Sequence, residues 1–287
     1  MTILLYNPLS KNRKARRTTK KLVDHLKKTH QPFRIKSLLK IEDLARYVNE
    51  TPADITLIVI GGDGTINSFV NKTFALPFKH RTYIRRSGSG NDFLRSVKTQ
   101  PPGPQTVMKL TTDHTQHYFI NGAGMGIDGM ISALVNRSRR KNKMRYFLNT
   151  LKAFIMYQPQ TLETVIDGTP RTFKKAYLIN TNNGAYIGGG MKLTPKAKLS
   201  EPLLDVIVIH GMGKVLLFLV FLSVYFGLHI HLKRYVFLTK ARHVIATMPT
   251  PQTAQCDGET FPDTLHIETS VTDKQVELKP YHKRLRT

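Results

Sequence analysis

Cysteine and acidic residues are scarce in this chain of 287 residues. Its one cysteine, Cys256, excludes an intramolecular disulfide framework and is typical of a reducing compartment, so we expect a cytoplasmic protein. Asp and Glu number 19 against 44 Lys and Arg, which gives a formal net charge of +25. So large an excess of positive charge predicts a polyanionic partner: nucleic acid, an acidic membrane surface or a heavily phosphorylated ligand.

Long apolar runs are also missing. Residues 215–232 carry no Asp, Glu, Lys or Arg, but only residues 215–226 are densely apolar, which is short for crossing about 30 Å of hydrocarbon. We expect a helix there that is either buried in the core or lies at a membrane interface, where its basic flanks would suit anionic headgroups. The first eight residues have no positively charged leader, so they predict a first strand rather than a secretory signal.

Strand and helix patterns alternate over the first hundred residues. This alternation predicts an open, mostly parallel sheet with helices on both faces. A Pro-Pro-Gly-Pro segment begins at residue 101, and the many short strand patterns after it predict an antiparallel sandwich or barrel. We therefore expect an α/β domain at residues 1–112, to which a tail at residues 273–287 returns, and an all-β sandwich domain at residues 113–272.

The segment Thr56–Thr65 joins an apolar run to three glycines that surround one aspartate. The run predicts a buried parallel strand, and Gly61, Gly62 and Gly64 let backbone N–H groups approach an anionic ligand at the start of the next helix. Asp63 would repel a phosphate unless a divalent cation or a proton intervened, so the segment indicates chemistry on a phosphate. The alternative is a tight turn with a solvated aspartate.

Three later turns combine glycines with acids. Residues 87–92, Ser-Gly-Ser-Gly-Asn-Asp, predict a second phosphate or nucleotide loop whose last two residues cap a helix. Residues 122–129 place Asp128 after another strand, and Asp257-Gly258-Glu259 joins two acids across a turn that is also typical of an ordinary hairpin. Together these turns place acids at the ends of several strands.

In this order, the motifs resemble those of the diacylglycerol kinase catalytic domain family, which includes sphingosine and ceramide kinases and bacterial soluble lipid kinases. The matching blocks begin with Asn7-Pro8 and continue through Gly61–Thr65, Gly88–Phe93, Asn182-Asn183 with Gly188–Met191, and Asp257–Glu259. The resemblance implies transfer of the γ-phosphoryl group of ATP, with Mg²⁺, to a lipid hydroxyl. It also implies a phosphofructokinase-like first domain, a β-sandwich second domain and an active site between them.

The resemblance also assigns roles to individual residues. Glu259 would be the general base on the acceptor hydroxyl, with Asp128 assisting it, and Asp63 would act near the Mg²⁺-bound phosphate. Asp92 and Arg95 would lie beside the transferred group, although both could simply cap and pair on their own helix. The implied nucleotide-binding residues are Asn7, Gly61, Gly62, Gly64, Thr65, Asn67, Ser87, Gly88, Ser89, Gly90 and Asn91.

One departure from the family pattern concerns a metal. Bacterial members carry Asp-Gly before a Leu-Asp-Val strand, where it helps to hold a structural Mg²⁺. This chain has Glu201-Pro202 ahead of the strand that contains Asp205, which leaves open whether a structural Mg²⁺ site is retained.

Several functions compete at this stage. Asp92 favours diacylglycerol over a sphingoid base as acceptor, and the motifs typical of NAD kinases downstream of the shared Gly-Gly-Asp-Gly-Thr turn are missing. A non-enzymatic alternative is a protein that binds membrane surfaces through basic clusters such as residues 137–145 and 282–286. No nucleic-acid-binding motif occurs, so we expect no specific nucleic acid partner. We expect peripheral attachment at the inner face of the membrane and leave a homodimer open.

Overall fold

The computed structural model describes residues 1–10, 14–77, 79–87, 91–137 and 143–282. Its described strands form two sheets, one of five strands and one of nine. The five-stranded sheet is parallel throughout, with the order β14-β4-β3-β1-β2. Its strands are β1 (Thr2–Tyr6), β2 (Phe33–Ser37), β3 (Thr56–Gly61), β4 (Thr82–Arg86) and β14 (Leu278–Pro280).

Helices cover both faces of this sheet, because β3 and its neighbours are apolar on both sides. Leu22 and Leu26 pack with Ile58 on one face, and Phe69 packs with Leu57 on the other. Every residue of β3 is buried, as expected for a central parallel strand. The helices are α1 (Lys14–Lys28), α2 (Leu44–Glu50), α3 (Asp63–Thr73) and α4 (Asp92–Thr99).

The nine-stranded sheet is antiparallel. Its long strands β9 and β12 pair with β7 at one end and with β8 at the other, so the strands wrap around one apolar core. The strands are β5 (Gln105–Thr112), β6 (Gln116–Phe119), β7 (Gly122–Gly126), β8 (Gln160–Ile166), β9 (Thr169–Asn182), β10 (Leu204–His210), β11 (Val236–Ala241), β12 (His243–Cys256) and β13 (Glu259–Val276).

Three helices lie against this second sheet: α5 (Ile127–Arg137), α6 (Lys143–Met156) and α7 (Lys214–Val224). The predicted fold class is confirmed, with the addition that the second domain is β-rich rather than free of helices. Helix α7 covers residues 215–224 of the apolar segment 215–226, and no helix of the described residues is long and apolar enough to cross a membrane.

Strand β5 belongs to the larger sheet, although the predicted first domain extends to residue 112. The chain leaves the first sheet through residues 100–104, where prolines at 101, 102 and 104 stop α4 from continuing. It returns near the end, where β14 pairs with β4. The predicted limits of the two domains stay a prediction.

Candidate active site

The turn between β3 and α3 is open on one side and tightly packed on the other. A side chain at Gly61 would place its Cβ 2.3 Å from the Cβ of Thr65, so only glycine fits there. A Cβ at Gly64, in contrast, would meet no atom within 4 Å. The amide of Asn7 donates to the Thr65 hydroxyl at 3.3 Å and ties the end of β1 to the turn. The open backbone at the start of α3 suits an anionic group.

Asp63 uses its carboxylate to hold the start of α4. It accepts hydrogen bonds from the backbone N–H groups of Asn91 at 2.6 Å, Asp92 at 3.1 Å and Phe93 at 3.3 Å. Burial raises the pKa of Asp63, and the three N–H groups act in the opposite direction. The sequence predicted that Asn91 and Asp92 would cap this helix, but the capping carboxylate comes from the preceding glycine turn.

Asp92 and Arg95 pair on their own helix and also contact the second domain. Their side chains lie 3.1 Å apart, and the other Asp92 oxygen accepts the N–H of Gly189 at 2.6 Å. Burial, followed by the nearby charge of Asp63, raises the pKa of Asp92 to about 6. The Arg95 guanidinium lies over the Tyr186 ring at 5.3 Å, and a Cβ at Gly190 would lie 2.4 Å from Arg95 Nη1. The glycine run at 188–190 therefore brings the second domain against this pair.

The Asp257-Gly258 turn joins β12 to β13 and reaches across to the first domain. Both residues have positive φ, 47° and 90°, as in the tight hairpin that the sequence left as an alternative. The Asp257 carboxylate accepts from the Asn67 amide at 2.7 Å and from the backbone N–H groups of residues 120, 121 and 122 at 3.0, 3.1 and 2.9 Å. Burial is the main cause that raises the pKa of Asp257 to about 6.

Glu259 stands next to this turn with a free approach from solvent. Its side chain is 52% exposed, and the Nδ1 atom of His117 lies 3.7 Å from its Oε2 atom. Because Asp257 is anchored by Asn67, Glu259 is held near the first-domain helix that begins at Asp63. Of the two acids, Asp257 has a carboxylate that is buried and fully hydrogen-bonded, whereas Glu259 is about half exposed.

Asp128 connects to the same turn through a side chain that the sequence did not single out. Gln255 donates to Asp128 Oδ2 at 3.2 Å and accepts the N–H of Gly258 at 3.3 Å. Asn180 also donates to Asp128, whose second oxygen is buried with no partner among the described residues. Burial raises the pKa of Asp128 to about 6. Gln255 carries no motif signal beyond its position two residues before Asp257.

The second glycine loop is described in part. The Ser87 N–H donates to Gly61 O at 2.9 Å, and its buried hydroxyl has no hydrogen-bond partner in the described part of the chain. Asn91 adopts a φ of 133°, which is rare for a residue with a side chain. Gly88, Ser89 and Gly90 lie outside the described residues, as do Arg139, Arg140 and Lys141 of the first basic cluster and residues 283–287 of the second.

Glu201 and Asp205 are matched by lysines. Lys240 on β11 contacts Glu201 Oε2 and lies 3.9 Å from Asp205 Oδ2, while Lys198 lies 2.9 Å from Glu201 Oε1. Burial raises the pKa of Asp205 to about 6, and Lys240 opposes that shift. An ammonium group thus occupies the position between the two carboxylates, and these residues do not fit a structural Mg²⁺. The described residues contain no group of three or more His, Cys, Asp or Glu arranged to hold a metal ion.

Comparisons with known proteins identify both domains of the chain. The diacylglycerol kinase catalytic domain matches residues 1–120, and the YegS C-terminal NAD kinase beta sandwich-like domain matches residues 122–277. The chain is 24% identical over 209 residues to a diacylglycerol kinase of Mycobacterium tuberculosis, covering 67% of each chain. It is 30% identical over 182 residues to a Yersinia enterocolitica protein named "Probable lipid kinase YegS-like", covering 57% of this chain and 60% of that one.

The fold also has counterparts among solved structures. A crystal structure of a diacylglycerol kinase from Bacillus anthracis str. Sterne aligns over 97% of each chain, with a TM-score of 0.64 and 18% identity. The two family models together match both domains and their order along the chain. The chain belongs to the diacylglycerol kinase catalytic domain family of lipid kinases, as the sequence motifs predicted.

Proposed function

We propose that this chain transfers the γ-phosphoryl group of ATP to the free hydroxyl of diacylglycerol and so forms phosphatidic acid. The observation that carries the proposal is the 2.7 Å hydrogen bond between Asn67 and Asp257. Asn67 lies on the helix that starts at the glycine turn, and Asp257 lies in the turn that presents Glu259. This bond supports a single site built from a phosphate-binding half and a base-bearing half.

The nucleotide half is proposed to hold the phosphates at Gly62 and at the open backbone of Gly64, with Asn7 and Thr65 fixing the turn. The helix dipole of α3 favours negative charge at that position. The unpartnered hydroxyl of Ser87, on the adjacent strand end, offers a further contact. The remaining residues of the implied nucleotide set, Asn67 on α3 and Asn91 with residues 88–90, stay a prediction as ligand contacts.

Mg²⁺ that accompanies ATP neutralises charge on the phosphates as the transfer proceeds. Asp63 is the proposed contact to that ion. An ionised carboxylate has about four acceptor sites, and three backbone N–H groups already bond to this one. Little of its acceptor capacity is left, so Asp63 acts mainly by fixing α4, which carries Asp92 and Arg95 beside the transferred group.

Glu259 is the proposed general base, because it is the acid of the site that no described backbone donor holds. Its carboxylate removes the proton of the acceptor hydroxyl as the oxygen attacks phosphorus. Asp128 positions it indirectly through Gln255 and Gly258. Phosphoryl transfer depends on positioning and charge neutralisation more than on covalent chemistry, and this set of groups supplies both.

The chain is proposed to act in the cytoplasm as a peripheral protein at the inner face of the membrane. Diacylglycerol resides in the bilayer, and the net charge of +25 favours an anionic surface. A sphingoid base remains the alternative lipid. NAD remains the alternative acceptor outside lipids, since the second domain resembles the NAD kinase β-sandwich. Membrane binding without catalysis is the non-enzymatic alternative.

One assay separates these functions. Radiolabelled ATP and Mg²⁺ are offered with diacylglycerol micelles, a sphingoid base or NAD, using the wild type and Glu259→Gln. We expect label in phosphatidic acid and a loss of about 10²- to 10⁴-fold in kcat for the variant. Glu268→Gln is the matched control, because Glu268 lies on the same strand and also contacts a histidine, His243, at 2.7 Å.

Each contrary result removes a specific part of the proposal. Label in phosphatidic acid that persists in Glu259→Gln contradicts the assigned base. Label only in the sphingoid product or only in NADP contradicts the acceptor. No label in any product, with vesicle binding retained, supports the non-enzymatic alternative.

A further inference from the structure

Helix α7 is apolar on two opposite sides, although one of them faces solvent. Leu217, Val220 and Val224 form a buried stripe against the second domain. Val215, Leu219, Leu222 and Phe226 follow at intervals of four, three and four residues, so they share the opposite face and its extension past the helix end. Val215 is 81% exposed and Phe226 is 74% exposed. A helix that is apolar all round is normally buried, so the outer stripe calls for a partner.

The end of α6 extends this apolar surface. Lys214 at the start of α7 donates to the carbonyl of Ile155 at the end of α6, which places Ile155 and Val215 near each other. Phe154 packs beneath, with its ring 5.2 Å from that of Phe221. Ile155 is 73% exposed, and Met156 is exposed beside it. We call this continuous surface the apolar platform and define it as Ile155, Met156, Val215, Leu219, Leu222 and Phe226.

Exposed basic residues flank the segments that form the apolar platform. Lys152, Lys214, Lys233 and Arg234 are exposed on α6, on α7 and in the segment that follows α7. The sequence contains no Asp or Glu between Asp128 and Glu163, nor between Asp205 and Asp257. An apolar face with a basic rim complements an anionic bilayer, whose headgroups are negative and whose interior is apolar. A second copy of the chain would bring two basic rims together, which is unfavourable.

The apolar platform is linked to the candidate active site by a short segment of the second domain. The Lys192 N–H donates to Val224 O at 3.0 Å, at the end of α7. Three residues earlier, Gly189 donates to Asp92 at 2.6 Å. Burial and, to a smaller extent, the charge of Asp92 raise the pKa of Tyr225, which places Tyr225 within electrostatic range of that acid. A bilayer at the apolar platform would thus lie beside the half of the site that receives the lipid.

We propose that the apolar platform inserts into the headgroup region of an anionic bilayer and docks the enzyme with its acceptor side toward the lipid. The assignment of that side as the lipid side depends on the proposed kinase function, whereas the insertion itself does not. Helix α7 is too short to span the bilayer, so insertion is shallow and lies in the interface plane.

Vesicle binding without ATP or diacylglycerol tests the insertion. Phosphatidylcholine vesicles with one quarter phosphatidylglycerol are sedimented with the wild type and with Leu219→Ser/Phe226→Ser. Two large apolar side chains leave the interface in this variant, so we expect the partition coefficient to fall about tenfold or more. The matched control is Leu39→Ser/Leu265→Ser, which removes two exposed leucines elsewhere and should bind as the wild type does.

A spectroscopic measurement covers the case in which the double variant folds poorly. The chain contains no tryptophan, so Phe226→Trp introduces a single tryptophan, which can be excited selectively, with little change of shape. We expect a blue shift on anionic vesicles and quenching by brominated acyl chains. Leu39→Trp should show neither effect.

Three outcomes overturn the insertion: wild-type binding by the double variant, a Phe226→Trp emission that vesicles leave unchanged, and a wild-type dimer that the double variant converts to a monomer. The last would show that a second copy covers the apolar platform. The proposed kinase function is tested separately, with monomeric short-chain diacylglycerol and no vesicles. If the wild type does not phosphorylate this substrate, the kinase proposal fails independently of the insertion.

Discussion

Asp63 in the first domain and Asp257 in the second occupy similar positions. Asp63 lies two residues after the end of β3 and Asp257 lies directly after β12. Each is flanked by glycine, and each carboxylate accepts hydrogen bonds from at least three N–H groups. The donors differ: those of Asp63 belong to α4 of its own domain, whereas those of Asp257 include Asn67 from the other domain. The carboxylate of Asp63 therefore fixes a helix within its own domain, whereas the carboxylate of Asp257 joins the two domains.

Asp257→Ala should have the largest effect on stability, because it removes the shared acceptor of four hydrogen bonds. We expect a loss of roughly 3–4 kcal/mol in the free energy of unfolding and a separation of denaturant unfolding into two transitions. Circular dichroism and tyrosine fluorescence measure both. The control is Asp167→Ala, since Asp167 lies in a similar Asp-Gly turn but accepts only from Arg242 and His243 of its own sheet.

If Asp257→Ala unfolds in one transition at the same denaturant concentration as Asp167→Ala, the proposed difference between the two kinds of carboxylate is wrong.

Asp63→Ala removes a helix cap and should cost about 1–2 kcal/mol. The effect should be local, with faster hydrogen exchange in residues 92–99 and a single unfolding transition. Asp43→Ala is a matched control, because Asp43 caps α2 by accepting the Arg46 N–H at 2.9 Å. Both variants should lose similar stability, but only Asp63→Ala should weaken ATP binding, as measured by calorimetry. Equal ATP affinity in the two variants would place the nucleotide elsewhere.

Asp128 extends the comparison to a carboxylate that is held by side-chain amides. Burial raises its pKa to about 6 in the folded chain, against an ordinary value near 4. Between about pH 4 and pH 6 the folded chain still holds the Asp128 proton that the unfolded chain has released. The stabilisation that this proton gives the folded state is complete below about pH 4 and is lost as the pH rises through 6. Asp128→Asn removes this titration, and its stability relative to the wild type should rise by about 1–2 kcal/mol between pH 4.5 and 7.5.

The control for this pH dependence is Asp113→Asn. Burial opposes ionisation of Asp113, but the N–H groups of Leu265 and His266 outweigh it and lower the pKa. Its contribution to stability is therefore present at neutral pH and lost as the pH falls, so the variant should change relative to the wild type in the opposite direction. A parallel pH dependence in the two variants would contradict the role of burial at Asp128.

Lys240→Met tests the pair of carboxylates, Glu201 and Asp205, that share one ammonium group. It should have the smallest effect, a loss of about 0.5–1 kcal/mol in the free energy of unfolding, because Lys240 is partly exposed. The thermal midpoint of the wild type should not respond to EDTA or to added MgCl₂. The variant leaves Glu201 and Asp205 without their shared lysine, so Mg²⁺ should stabilise it. A wild type that EDTA destabilises would show that a metal is retained there. Lys279→Met, which breaks the exposed pair with Glu277, is the control.

Sequence patterns predicted the fold class because local periodicity carries that information: β3 is a continuous apolar run, and the antiparallel strands are short and regularly interrupted. They also located Asp63, Asp128 and Glu259 at the ends of strands. They did not distinguish the buried, hydrogen-bonded acids from the exposed Glu259, since that depends on donors far along the chain. The partner of Asp257 is 190 residues away, and Lys240 meets Glu201 only because β10 pairs with β11.

The two sides of α7 show a different limit. Periodicity detects a helix face through contrast between polar and apolar positions, and α7 has almost none. Leu217 and Leu219 are chemically identical, yet one is buried and the other exposed. Which stripe is exposed depends only on how α7 packs against the rest of the second domain.

Strand β14 belongs to the sheet of the first domain but is the last strand of that sheet to be synthesised. One side of its neighbour β4 therefore stays unpaired until residues 278–280 emerge from the ribosome, by which point the whole second domain has been made. Domains usually fold in order of synthesis, and an open strand edge is a template for aggregation. In this chain the five-stranded sheet is begun before the nine-stranded sheet but is completed after it. The nascent α/β domain therefore passes through a stage with an exposed strand edge, which a chaperone could recognise.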